Sequence, residues 1–254
     1  MRGDILKKKL MVLCAVAIMI STCLTGCKMN SGKIRFGSAG IGGTYQIFGD
    51  TFANLISSKS KKYNIEVKTT AGSAANLRLL SKDYIQMAVA QMDLINDAYN
   101  RTGIFENDKK YQGYRAVASL YTEACQIVVP ADSDIQSMDD LEGKKVCIGE
   151  EESGTEQNAL QILNAYGLNE RLVDTVNLNY TDAAKKLKSG DIDAFFCTAG
   201  VQTTVINELS KQCKIRLVSL DQKGVSRLKK SYKFYTEYTI PAGTYVNQTK
   251  EIKT

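Results

Sequence analysis

Gly40-Ile41-Gly42-Gly43 separates an apolar run, Ile34–Ala39, from a helical pattern that begins at Thr44. Turns of small residues recur beside later apolar runs and helical patterns, at Ala71-Gly72, at Glu152-Ser153-Gly154 and at Ala199-Gly200. Small residues let a ligand approach the backbone, and the first turn of a helix offers unpaired N–H groups and a positive dipole end. We therefore expect four helix N-termini to converge on a small, anionic molecule, with ordinary α/β turns as the alternative.

The first turn differs from the known nucleotide-binding loops. Gly37–Thr44 is similar to a phosphate-binding loop, but Gly43 occupies the position of the phosphate-binding lysine. A dinucleotide motif that started at Gly40 would need a glycine at position 45, where the chain has Tyr45. The sequence therefore argues against nucleotides and predicts no cofactor. It leaves a loop whose N–H groups can hold a carboxylate, with hydroxyl donors on Thr44 and Tyr45.

The N-terminus has the pattern of a lipoprotein signal peptide. Basic residues precede an apolar run, Leu10–Ile20, which is shorter than the ~20 residues that cross a bilayer. Leu24-Thr25-Gly26-Cys27 then resembles the bacterial lipobox, with a chance cysteine as the alternative. We expect a signal peptide over residues 1–26, a lipid on Cys27 and a tether over residues 27–33. The protein would then lie outside the cytoplasm, anchored to a bacterial membrane at the cell surface or in the periplasm.

Composition excludes several classes of function. The chain has no histidine, which excludes Ser-His-Asp and Cys-His catalysis and histidine-ligated zinc. The four cysteines beyond Cys27 are far apart and form no C-x-x-C, so we expect no metal site; they are Cys125, Cys147, Cys197 and Cys213. The net charge of +6, half of it in the signal segment, is too weak to indicate nucleic acid. No acidic pair has a catalytic spacing, so we expect no enzyme.

Strand and helix patterns alternate in two runs, which predicts an α/β fold with largely parallel sheets. We assign residues 34–130 to a first lobe and residues 131–238 to a second. Residues 239–254 are expected to return toward the first lobe. Tyr114–Leu120 is predicted to be a strand, and Ser73 and Thr181 are predicted to cap helices.

Several short motifs, in chain order, carry a resemblance to a known family. They are Gly42–Tyr45, Thr70–Ser73, Asn76–Leu80, Gln91–Asp93, Ala118–Tyr121, Ser153–Glu156, Asp191–Phe196, Thr198–Gly200, Phe234–Tyr235 and Ile240–Tyr245. Together they resemble the TAXI-type solute-binding proteins of TRAP transporters. The resemblance implies a two-lobed periplasmic-binding-protein fold of type II with a ligand cleft between the lobes. It also implies capture of a small organic acid or amino acid, typically glutamate-like, for TRAP membrane permease subunits.

The resemblance also implies which residues bind the ligand. On the first lobe these are Gly43, Thr44, Tyr45, Ser73, Asn76 and Gln91. On the second lobe they are Ser153, Gly154, Thr155, Thr198 and Gly200. Each has a structural alternative: Ser73 and Thr155 can cap helices, Gly43 and Gly154 can turn the chain, and Gln91 can end a strand.

Two features depart from the family. Glu150-Glu151-Glu152 places three carboxylates at the cleft mouth, where they disfavour an acidic ligand or hold a cation, with a solvated loop as the alternative. The chain also stops at Thr254, earlier than the family usually ends. We therefore expect part of the first lobe to be missing, with exposed apolar surface and a tendency to aggregate or to bind poorly, as in a truncated protein.

Two other functions remain open from the sequence. One is an ABC-type binding protein of similar fold. The other is a surface lipoprotein in which a binding fold serves adhesion or signalling.

Overall fold

The computed structural model describes residues 32–254. The predicted signal peptide, Cys27 and most of the predicted tether lie outside the described residues. Within residues 32–254, no helix combines the length and the apolar character that crossing a membrane requires.

The first lobe is a three-stranded parallel sheet with three helices. Its strands are β1 (Lys33–Gly37), β2 (Asn64–Lys68) and β3 (Met87–Ala88), in the order β2-β1-β3. Its helices are α1 (Thr44–Lys59), α2 (Ser73–Ser81) and α3 (Met92–Asn100), followed by a 3-10 turn at Gly103–Phe105. Phe48 and Phe52, one turn apart on α1, pack on Phe36 of β1 with ring centroids 6.1 and 5.8 Å away. This contact packs α1 against β1.

The second lobe is a five-stranded mixed sheet with four helices. Its strands are β4 (Ala124–Pro130), β5 (Lys145–Gly149), β6 (Asp174–Asn177), β7 (Ala194–Ala199) and β8 (Ile215–Leu217), in the order β6-β5-β7-β4-β8. Its helices are α4 (Gly154–Ala165), α5 (Tyr180–Ser189), α6 (Thr204–Gln212) and α7 (Gln222–Ser231), with a 3-10 turn at Asp139–Leu141. Every residue of β7 is buried, so this strand forms the centre of the lobe.

The second sheet corrects two expectations. The predicted lobe boundary after residue 130 is wrong, because β4 (Ala124–Pro130) belongs to the second sheet, and this sheet is not largely parallel. β4 runs antiparallel to both β7 and β8, whereas β5 is parallel to β6 and β7. Helix α7 was not predicted, and its apolar positions, Val225 and Leu228, pack on the core of this lobe.

The predicted strand Tyr114–Leu120 is wrong. These residues are irregular in the structure, and β3, the edge strand on that side of the first sheet, has only two residues. Tyr114 is held instead by a side-chain bond, because its hydroxyl donates to the carbonyl of Ile95 at 2.8 Å. The following residues, 115–120, are exposed.

The C-terminal residues pack on the second lobe, where we had expected a return toward the first. β9 (Thr239–Ile240) pairs antiparallel with β10 (Ile252–Lys253). Ile240 and Tyr245 are buried in the core beside β7, and the Tyr245 hydroxyl donates to Gln126 of β4. These two apolar contacts hold the segment against the larger sheet.

A large cavity of about 2300 Å³ opens beside β3. Its lining includes Phe48 and Phe52 of α1, the irregular residues 107–123, and Phe234 and Tyr235 of the second lobe. The lining therefore comes from both lobes.

Candidate functional site

A small cavity of about 40 Å³ lies between the two lobes. Nine of the eleven predicted binding residues line it: Gly43, Thr44, Tyr45, Ser73, Gln91, Ser153, Gly154, Thr155 and Thr198. Four further polar residues that the prediction omitted also line it: Glu123, Glu150, Asn179 and Tyr180. The structure therefore brings the turns of both lobes together around one space.

Four helices begin at this cavity. The first residues of α1, α2, α4 and α5 all contribute to its lining: Thr44, Ser73, Gly154 and Tyr180. The expected fourth terminus after Ala199-Gly200 is wrong, because α6 begins only at Thr204. Helix α5 provides the fourth N-terminus instead of α6. The hydroxyl of Tyr180, the first residue of α5, lies 2.5 Å from the hydroxyl of Thr155.

The four N-termini differ in how they are capped. Gly43 and Gly72 precede α1 and α2, and neither helix has a side-chain cap. Ser153 caps α4 by accepting from the backbone N–H of Glu156 at 3.0 Å, and Asn179 caps α5 in the same way. In the first turn of α2, the backbone N–H of Ala75 already donates to the carbonyl of Glu152 at 3.2 Å. The other first-turn N–H groups of α1 and α2 have no side-chain cap and are the ones that an anionic group can use.

Two predicted helix caps are wrong. Ser73 is the first residue of α2, and its hydroxyl accepts from the backbone N–H of Gln91 at 3.1 Å, which ties the starts of α2 and α3 together. Thr181 lies within α5, and its hydroxyl donates to the carbonyl of Ile41 at 3.0 Å. Both side chains join separate segments, a role that local sequence does not reveal.

Asn76 and Gly200 lie outside the lining of this cavity. Asn76 is fully buried, and its Nδ2 donates to the carbonyls of Ser38 at 2.7 Å and Val89 at 2.8 Å. Its Oδ1 accepts from the Thr70 hydroxyl at 2.8 Å. The amide group is thus fully used in joining the ends of the first-lobe strands. Gly200 lies beside Tyr121, just behind the cavity wall.

The lobes touch on two sides of the cavity. On one side, Nη1 of Arg78 on α2 lies 2.6 Å from Oε1 of Glu152 in the second lobe. On the other, Nε2 of Gln91 donates to Oδ1 of Asn158 on α4 at 2.9 Å. A space of about 40 Å³ holds a few water-sized groups. A molecule as large as an amino acid therefore requires the lobes to be farther apart.

The three consecutive glutamates have separate surroundings. Glu150 lines the cavity, Glu151 is exposed, and Glu152 pairs with Arg78 across the cleft. Residues 32–254 contain no cluster of acidic and cysteine side chains arranged to hold a metal ion.

Glu123 is the most perturbed carboxyl group at the cavity. Its Oε2 accepts from the Tyr45 hydroxyl at 3.0 Å. The pKa of Glu123 is raised to about 7, mainly by burial; bonds from Tyr45 and Gln91 act to lower it, and the neighbouring Asp93 adds a smaller rise. Burial also raises the pKa of Glu150, with a contribution from Asp182. Carboxyl groups with such shifts in a cleft are candidates for a functional role.

Three polar atoms at or next to the cavity have no hydrogen-bond partner within residues 32–254. They are Oε1 of Gln91, Oγ1 of Thr198 and the hydroxyl of Tyr121. Buried polar atoms are nearly always paired, and each exception calls for an explanation. Gln91 and Thr198 line the interlobe cavity, so a bound molecule can supply the missing partners.

The pKa of Glu123 predicts how stability depends on pH. The folded protein holds a proton on Glu123 up to about pH 7, whereas the unfolded chain releases it near its ordinary pKa of about 4.3. The unfolded state therefore binds fewer protons between these values, and stability falls as pH rises through that window. We expect Glu123→Gln to reduce this slope in urea unfolding measured from pH 4.5 to 8. Equal slopes for both proteins would contradict the assignment.

The NMT1-like family matches residues 36–254. The alkanesulfonate-binding protein SsuA from Xanthomonas axonopodis pv. citri, bound to MOPS, is similar with a TM-score of 0.50 and 18 % identity, covering 74 % of this chain and 60 % of that one. The chain therefore spans less than two thirds of the length of that protein.

For two further structures, the match covers a larger share of the other protein's chain. An ancestral arginine-binding protein bound to arginine has a TM-score of 0.50 at 18 % identity, covering 80 % of this chain and 93 % of that one. A binding protein component of an ABC phosphonate transporter from Pseudomonas aeruginosa has a TM-score of 0.52 at 12 % identity. The match covers 88 % of this chain and 82 % of that one. At these identities the likeness concerns the fold. It confirms the expected α/β fold of periplasmic binding proteins of type II.

Proposed function

We propose, because the chain belongs to the NMT1-like family, that it is an extracytoplasmic solute-binding protein that captures a small organic acid or amino acid for a membrane transporter. The observation that carries the proposal is the interlobe cavity, at which four helices begin and which nine independently predicted residues line. Helix N-termini bind the anionic end of such a ligand. The protein acts by binding, and we propose no catalytic step for it.

The transporter partner is the finer part of the proposal. The ordered motifs of the sequence favour permease subunits of the TRAP type, which a TAXI-type binding protein serves. The similarity to a component of an ABC phosphonate transporter favours the ABC type as a second candidate. Uptake in cells that carry each permease separates them, because TRAP transport stops when the ion gradient is collapsed, and ABC transport depends directly on ATP.

Native mass spectrometry of the purified protein tests the binding role. We expect a co-purified molecule of low mass that is released on denaturation, and a thermal-shift screen should then identify the class. A ligand at a hundredfold excess over its Kd stabilises the folded protein by ~2.7 kcal/mol. Failure of every small molecule to bind, together with binding to a host or partner protein, would favour the adhesive alternative.

The membrane anchor is proposed from the sequence around Cys27. If Cys27 carries the lipid, Cys27→Ala abolishes lipid attachment and releases the protein from the membrane fraction. Metabolic labelling with a palmitate analogue measures this, with Cys213→Ala as a control, because Cys213 lies far along the chain from the lipobox. Equal label on the wild type and the Cys27 variant would exclude the anchor.

Thr44 is proposed to contact the ligand at the start of α1. Thr44→Val keeps the shape but removes the hydroxyl, so we expect affinity to fall about ten- to a hundredfold, which corresponds to a lost bond to a charged group of ~1.5–3 kcal/mol. Calorimetry measures the affinity of the variant, and melting curves measure its stability. A loss of stability with unchanged affinity would mean that Thr44 has a structural role only.

A further inference from the structure

The cavity between the lobes has an unusual balance of charge. Two glutamates, Glu123 and Glu150, line it, and within residues 32–254 no lysine or arginine does. Neither glutamate forms an ion pair with a described residue. Arg78, at the edge of the cleft, is already paired with Glu152 and Asp108. An entering anion therefore meets two carboxyl groups and no side-chain cation.

The helix ends at the cavity offset only part of the negative charge of a filled site. Each helix N-terminus acts as roughly +0.5 charge, so the four helices that begin there offset about two negative charges. When both glutamates are ionised, they and the carboxylate of a ligand together carry three. A filled cavity with ionised glutamates therefore requires that the ligand also bring positive charge.

The unpartnered polar atoms point to the same chemistry independently. Oε1 of Gln91 can only accept a hydrogen bond, and it has no donor within residues 32–254. Thr198 is 9 % exposed, and its hydroxyl has no partner in that range either. Gln91 and Thr198 line the cavity together with Glu123. An N–H-rich group in the cavity would satisfy the Gln91 acceptor and the Glu123 carboxylate.

We propose that the ligand carries a cationic nitrogen and has a net charge of zero or above, with Glu123 and Glu150 holding the nitrogen. Its carboxylate lies at the starts of α1 and α2. The ligand class is therefore a neutral or basic amino acid, and dicarboxylates, sulfonates and other acids without an amino group are rejected. This inference rests on the proposed function and narrows it.

A charge series tests the proposal. The twenty amino acids, L-ornithine, glutarate, succinate and methanesulfonate are screened by thermal shift against the purified protein, and every hit is measured by calorimetry at pH 8. At that pH Glu123 is ionised, because its pKa is about 7. We expect at least one neutral or basic amino acid to bind, and the acids without an amino group to bind at least a hundredfold more weakly.

Variants of the two glutamates connect this preference to the cavity. Glu123→Gln and, separately, Glu150→Gln should each lower affinity for the preferred amino acid at least tenfold. Glu151→Gln is the matched control, because Glu151 lies in the same loop but is exposed, and it should leave affinity unchanged. Melting curves verify that each variant is folded, and either glutamate variant alone suffices for the test.

The outcomes separate the inference from the proposed function. Tight binding of glutarate, succinate or methanesulfonate, or of acidic amino acids alone, would overturn the inference and leave the binding role intact. Unchanged affinity in both folded glutamate variants would also overturn it. If no compound in the screen binds, the proposed function fails and the inference fails with it.

Discussion

Asn76→Ala is expected to lower the free energy of unfolding by about 2–4 kcal/mol. The substitution leaves the buried carbonyl of Val89 without the donor that Asn76 supplies at 2.8 Å. The Ser38 carbonyl loses its bond from Asn76 at 2.7 Å and keeps the Thr70 hydroxyl, 3.0 Å away, as a donor. A buried group left unsatisfied costs ~1–3 kcal/mol, and the lost side-chain volume adds to this. Urea unfolding followed by circular dichroism measures the loss.

Asn100→Ala is the matched control for this prediction. Asn100 ends α3 at an exposed position, and its amide bonds only to Asn96 one turn earlier. Exposed substitutions of this kind usually change stability by less than about 0.5 kcal/mol. If Asn76→Ala cost less than 1 kcal/mol, the amide would not be holding the strand ends of the first lobe together.

The starts of the helices were predictable from the sequence because they depend on local chemistry. Glycine and small residues end a strand, and the periodicity changes from two to 3.6 within a few residues. The predicted starts at Thr44, Ser73 and Met92 are confirmed, and the predicted start at Thr155 differs by one residue from the observed Gly154. All four predicted turns also contribute at least one residue to the lining of the interlobe cavity, although no helix begins directly after Ala199-Gly200.

The parts that the sequence did not reveal depend on contacts between distant residues. Tyr114–Leu120 has strand composition, but a strand needs a neighbour, and β3 is too short to provide one. Helix α5 reaches the cavity only because β6 lies beside β5 at the edge of the sheet. Register and sheet order of this kind are set by packing, which a single sequence does not state.

The two glutamates of the cavity illustrate the same limit. Glu150 was noticed as part of an acidic run, but the run could not show which of its three carboxyl groups faces the ligand. Glu123 lies two residues after the motif Ala118–Tyr121, and that position was the available signal. Its importance comes from burial beside Tyr45, which lies 78 residues earlier in the chain.

Gly154→Val is expected to lower ligand affinity at least a hundredfold, or about 2.7 kcal/mol. A side chain at position 154 would place its Cβ 1.6 Å from Oε1 of Gln91 and 3.1 Å from the hydroxyl of Ser73, both on the opposite lobe. Gln91 cannot move aside freely, because its amide is bonded to Asn158. The lobes therefore cannot approach as closely as they do here. A ligand that both lobes contact in the closed state therefore loses its contacts with one of them.

We expect the Gly154→Val protein to fold normally but to lose the closure of its two lobes. Gly154 begins α4 with a φ outside the left-handed region, so valine fits its backbone, and valine is no worse than glycine as a helix former. Gly113→Val is the matched control, because a Cβ there meets nothing within 4 Å. Calorimetry with the preferred amino acid measures affinity, and small-angle scattering with and without that ligand measures closure. A Gly154 variant that compacts on ligand addition and binds within threefold of the wild type would show that the ligand is held by one lobe alone.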